Sequence, residues 1–125
     1  MKTGYFAKHG NVAGAISISR SAPKFYHGPE FKTLAPSYPM LKMTRDDYNQ
    51  AYKKILLKLD PQKVYNELTA LAKGEEPILL CWERSNTWCH RRLVAEWLEK
   101  FLGVEITEVG LLRSEVLPYK VLPKS

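Results

Sequence analysis

ILLCWERSNTWCHRRLVAEWLEKFL, residues 78–102, carries the clearest structural pattern in the chain. It opens after Pro77 with the apolar run Ile78 to Trp82, which is short and does not alternate. Such a run suits a strand covered on both faces, as in a parallel sheet. Six residues follow, Glu83 to Trp88, that cannot continue it. Leu93, Val94, Trp97, Leu98, Phe101 and Leu102 then recur at helical spacing, and Gly103 is placed to cap the helix. Strand, polar loop and helix together form the unit that sets chemistry at the carboxyl end of a sheet. Cys89, His90 and Arg91 fall where the helix begins, beside its exposed N–H groups.

Upstream, Gly4 to Ala7 is a weak strand, and Ala15 to Ser19 alternates as a strand ending at Arg20. From Ser21 to Tyr38 the prolines Pro23, Pro29 and Pro36, with Gly28, forbid a long helix. Phe25, Tyr26, Phe31 and Tyr38 in the same loop carry apolar area to bury, which argues for order. Thr44 and Asp47 have capping-box spacing, and Tyr48, Ala51, Tyr52, Ile55 and Leu59 make the stripe of the helix they start. Asp60-Pro61 starts a second helix, with Val64, Leu68, Leu71 and Ala72 as its stripe and Gly74 closing it. Val104 to Val109 alternates as an edge strand. The order predicts an α/β fold, a single Rossmann-like domain over residues 1–110 with a mainly parallel sheet flanked by helices, and a C-terminal tail over 111–125.

A chain of 125 residues has room for one core. No apolar run approaches the roughly 20 residues of a membrane span, and the N-terminus shows no signal peptide, so a cytoplasmic protein with two free thiols is expected. The net charge of +6 is uneven: residues 1–43 hold six Lys/Arg against Glu30 alone, and the rest hold thirteen against twelve acids. That excess can attract an anionic small molecule or nucleic acid, or can simply be a solvated basic surface. There is no G-x-G-x-x-G fingerprint, so no dinucleotide cofactor is expected.

Several residues could carry chemistry. Cys89, at a helix start beside cations, reads as a thiolate nucleophile or as a buried structural cysteine, and Cys81 as core. Cys81, Cys89 and His90 could also bind a metal, but the spacing matches no paired C-x-x-C pattern and a fourth ligand such as Glu83 or His27 is needed. No metal is therefore assigned. Glu83 ends the central strand, where a carboxylate can act as base or nucleophile or pair with Arg84 or Arg91. Ser19 and Arg20 end the neighbouring strand, which would bring them near Glu83 and Cys89. Arg91 can clamp an anion; Arg92 lies about 100° further round the helix, so the two should not aim at one ligand. Tyr26, His27 and Tyr38 stack on a base or anchor their loop. No partner for His9 can be read.

LLCWER followed by CHRRLVAEWL resembles the bacterial domain-of-unknown-function family four-eight-eight. AISISRSAPKFYHGPEFKTLAPSY and the paired tyrosines after Thr44 extend the likeness over roughly Thr3 to Val109. The resemblance implies the same α/β class and favours Arg91 as a site residue, but it assigns no activity. The reading is of an enzyme, a transferase or hydrolase, acting on a nucleotide, nucleic acid or other phosphate-bearing substrate. Catalysis is expected from Glu83, Cys89 and His90, and binding from Ser19, Arg20, Tyr26 and Arg91. The alternatives are a non-catalytic nucleic-acid module built on the basic first third, or a Cys/His metal protein.

Overall fold

The computed structural model describes residues 1–83 and 89–110. The expected tail 111–125 and Arg84 lie outside them. Strands β1 (Lys2–Tyr5), β2 (Ala15–Ser17), β3 (Ile78–Cys81) and β4 (Thr107–Glu108) form one sheet in the order β2-β3-β1-β4. Every pairing is parallel. The order differs from those of the doubly wound dinucleotide folds, so what the sheet and helices show is an all-parallel α/β fold and not a Rossmann-like one. All four residues of β3 are buried, which is why its sequence is an unbroken apolar run.

Alternation along the strands sorts the side chains into two layers. Ile16 and Leu79 face the main core, which they share with Tyr52, Leu68, Val94 and Leu98. Those four come from the helices α2 (Arg45–Leu57), α3 (Pro61–Leu71) and α4 (His90–Leu102). Ala15, Ile78 and Leu80 face the other way, toward Phe6 and Tyr26. That second layer consists of the four-residue helix α1 (Phe6–His9) and the proline-containing loop after β2. The helix starts follow the expected chemistry. Thr44 Oγ1 accepts from the Asp47 N–H at 3.2 Å, and Asp60 Oδ1 accepts from Gln62 at 3.0 Å with Pro61 in the first turn. Gly103, at φ +67°, closes α4.

Several boundaries differ from the sequence reading. The first strand starts at Lys2, and Phe6 already belongs to a helical turn, whose His9 accepts the Tyr5 N–H at 3.1 Å through Nδ1. His9 can pack there because Gly4 has no side chain; a Cβ would stand 2.6 Å from Nδ1. Of the expected Val104–Val109 strand only Thr107–Glu108 pairs. In the long loop Tyr26 and Phe31 are the anchors, while Phe25 and Tyr38 are exposed. The loop closes over the outer edge of β2: Ser17 donates to the Pro29 carbonyl at 3.0 Å and accepts from Phe31 at 2.8 Å.

Gly14 turns the chain into β2 with φ +88°, and a Cβ there would lie 2.1 Å from the backbone oxygen of Glu76. Its own carbonyl accepts the Ile78 N–H at 2.9 Å, so the turn sets the start of β3 as well. Gly14→Ala combines left-handed strain with a backbone clash and is expected to cost about 2 kcal/mol. A urea unfolding midpoint equal to that of the unmutated chain would show that the turn relaxes at no cost.

Candidate functional site

β2 and β3 end side by side, and a cleft of about 430 Å³ opens at their carboxyl ends. The sheet supplies Ser19, Arg20, Cys81, Trp82 and Glu83, and the start of α4 supplies Cys89 and His90. The opposite wall comes from the 3-10 turn Tyr38–Lys42 and the first turn of α2, through Met40, Arg45 and Tyr48. Trp82 Nε1 donates to the Ser21 carbonyl at 2.8 Å and so ties the end of β3 to the chain leaving β2. Five of the residues expected at the site, Ser19, Arg20, Glu83, Cys89 and His90, therefore share one cleft.

Arg20 Nε donates to the Pro36 carbonyl at 2.8 Å, and its guanidinium lies 5.5 Å from the centroid of the Tyr38 ring. Ser19 is buried, and its Oγ has no hydrogen-bond partner among the described residues. Such an atom carries a desolvation cost that a ligand or water can relieve. His90 Nε2 lies 2.8 Å from the Ile18 carbonyl, which can only accept, so Nε2 carries the proton. Nδ1 is left with its lone pair toward Cys89 Sγ at 3.5 Å. Burial pushes the His90 pKa down to about 4, with Arg91 acting in the same direction, so the ring is neutral at pH 7. Desolvation likewise raises the phenol of Tyr48, and the Glu83 charge adds to the effect.

Free thiols were expected, but Cys81 and Cys89 are joined in a disulfide. Sequence separation hid this. The two cysteines lie eight positions apart, one at the end of β3 and one at the start of α4, and their sulfurs meet there. A thiolate at Cys89 therefore requires the bond to be opened first.

Arg91 and Tyr26 lie elsewhere. The Arg91 side chain is fully buried, with Nη1 donating to Cys81 Sγ at 2.9 Å and to the Glu83 carbonyl at 2.8 Å. It also pairs with Glu108, Nη2 to Oε1 at 3.8 Å. Arg92 Nη2 reaches the same Glu108 oxygen at 3.0 Å. Despite their separation round the helix, the two arginines thus reach the same internal carboxylate, because both side chains are long. Tyr26 is on the far face of the sheet, its one hydroxyl proton shared between the carbonyls of Pro29 at 2.6 Å and Ala15 at 3.1 Å. It anchors the loop, and His27 beside it is exposed.

Sequence reasoning missed Arg45, Tyr48 and Glu108. For Glu108 a signal existed: alternation puts Glu108 on the same side of the last strand as Ile106, and both are buried. Arg45 and Tyr48 carried none, since only the packing of α2 brings its first turn over the strand ends. A larger groove, about 640 Å³, runs between α2 and α4, but Lys53, Lys54, Lys100 and apolar residues line it and no cysteine or histidine does.

A parallel sheet with helices on it and a cleft at its strand ends defines an α/β protein. The chain belongs to the DUF488 family. The family model described as "DUF488-N3a: Active DUF488-N3 subclade" matches residues 15–102, from the first residue of β2 to the last of α4. The match takes in every expected site residue and stops short of β1 and β4. No curated protein and no solved structure matched the chain. Among the described residues no helix is long and apolar enough to cross a membrane.

Proposed function

We propose that the chain is an enzyme that binds a phosphate-bearing substrate, a nucleotide or a nucleic-acid end, in the cleft at the ends of β2 and β3. The observation that carries this reading is the buried Ser19 Oγ, which has no partner among the described residues in a cleft that also holds Arg20 and Glu83. Arg20 supplies positive charge and forked donors suited to phosphate oxygens. Tyr38 and Trp82 are exposed at 68% and 52% and offer rings for a base. Glu83 is the general base or nucleophile. His90, neutral and with Nε2 tied to Ile18, can receive a proton only at Nδ1. The word "Active" in the description of the matching subclade supports catalysis over a purely structural role.

The test is a calorimetric titration with inorganic phosphate, nucleoside monophosphates and the parent nucleosides. Phosphate-bearing ligands should bind, nucleosides alone should bind at least 10-fold more weakly, and Arg20→Ala should remove most of the difference, about 1.5–3 kcal/mol for a charge-assisted contact. Equal binding of nucleoside and nucleotide, or an unchanged Arg20→Ala, defeats the reading. Salt-sensitive oligonucleotide binding that Lys8→Glu and Lys24→Glu weaken and Arg20→Ala leaves alone would instead favour a non-catalytic module on the basic first third.

A further inference from the structure

The ligand atoms of Cys81, Cys89 and His90 lie within 4.8 Å of one another, and all three residues are buried. We propose that, once the two cysteines are reduced, these side chains bind one zinc ion through both sulfurs and His90 Nδ1, leaving the fourth position open to the cleft. All three residues line that cleft, so the open position faces the space where a substrate or water would sit. Two cysteines, one histidine and an open position make up a donor set that catalytic zinc sites use.

The surroundings already suit a metal. The His90 Nε2–H is held by the Ile18 carbonyl at 2.8 Å, which turns the Nδ1 lone pair toward the sulfurs. Metal-bound histidines are usually oriented by such a bond from the far nitrogen. Arg91 Nη1 donates to Cys81 Sγ at 2.9 Å, a contact that favours the thiolate a zinc ion needs. Cys89 precedes the first turn of α4, where free N–H groups favour negative charge on its sulfur. The two Cα atoms stand 7.5 Å apart. That is wider than the usual disulfide span of about 4.4–6.8 Å. The backbone can therefore accept an ion between the sulfurs, each about 2.3 Å from the metal.

The conversion balances with a dithiol as reductant. Two electrons and two protons pass to the Cys81–Cys89 bond, which breaks into two thiols, and the dithiol leaves as its cyclic disulfide. The zinc ion then displaces both thiol protons as the two sulfur–metal bonds form. The site does not depend on the phosphate reading, since its ligands are the protein's own.

Cobalt(II) is the probe. The full chain is reduced without oxygen and freed of reductant, and its thiols are counted. Two thiols per chain are expected, followed by a sulfur-to-cobalt charge-transfer band and tetrahedral d–d bands. Both should saturate at one equivalent and be bleached by one equivalent of zinc. Cys81→Ser and Cys89→Ser, checked for native circular dichroism, should each abolish this saturable signal. The proposal is overturned if the reduced unmutated chain shows only the weak spectrum of oxygen-ligated cobalt, if the native chain cannot be reduced, or if the band survives in Cys89→Ser. The unmutated chain decides the matter even if the variants fail to fold.

Discussion

Glu108→Gln is expected to lower the free energy of unfolding by about 3–5 kcal/mol, the range for breaking a buried ion pair by removing one partner. Glu108 is 3% exposed and sits on a two-residue strand, where its carboxylate meets Arg92 at 3.0 Å and Arg91 at 3.8 Å. The amide keeps the shape and loses the charge, so two buried guanidinium groups lose the carboxylate they share. Removing Glu108 together with its closer partner should be milder than removing Glu108 alone, because apolar side chains of similar volume often replace a buried ion pair at little cost. Glu108→Leu with Arg92→Met should therefore recover part of the loss. Urea unfolding at pH 7 measures both. A change under about 1 kcal/mol for Glu108→Gln would mean that the carboxylate contributes no more than a surface pair.

With the disulfide intact, the chain should lose about 3 kcal/mol of stability between pH 6.5 and pH 4, at about 1.4 kcal/mol per pH unit. His90 is the reason. Its pKa is about 4 in the folded chain against an ordinary 6.5, chiefly because burial disfavours the imidazolium. Between those values the unfolded chain binds a proton that the folded chain refuses, so acid pulls the equilibrium toward unfolding. Above pH 6.5 both states are neutral at this residue and the contribution is fully present. Of the groups against the ring, the charge of Arg91 adds to the depression and the Ile18 carbonyl at Nε2 works against it, while Cys89 Sγ at Nδ1 and the Tyr52 ring, 5.4 Å away between centroids, complete the enclosure. His9 is shifted in the same direction, chiefly by burial, and adds to the acid side. His90→Gln should flatten the profile over this window. If the variant keeps the full acid slope, the proton is taken up elsewhere.

The central strand, the three long helices and the cleft itself were legible because each is written locally. β3 is an apolar run between turn residues, and α2 and α3 carry their own caps at Thr44 and Asp60. The cleft follows from where two such strands end. Contacts between segments distant in sequence were not legible. Helical angle separates Arg91 from Arg92, yet both reach a glutamate more than fifteen positions further on, whose last strand pairs through only two residues. Tyr26 reads from the linear chain either as a base-stacking residue or as a loop anchor, and the sheet face it packs on shows the anchor. The pairing of Cys81 with Cys89 depends on how the end of β3 meets the start of α4, which no spacing rule describes.

The loop that folds over β2 has a consequence for how the molecule behaves in a crowd of its own kind. A sheet margin with idle donors and acceptors recruits foreign strands, the usual route to fibrils and to donated-strand complexes. Ala15 and Ser17 are the residues of β2 that point their backbone outward, and neither is idle. Ala15 gives its N–H to Val12 at 3.1 Å and takes the Tyr26 hydroxyl at 3.1 Å, while Ser17 is engaged by Pro29 and Phe31. This margin is already capped from within, so a neighbouring chain has nothing there to zip onto.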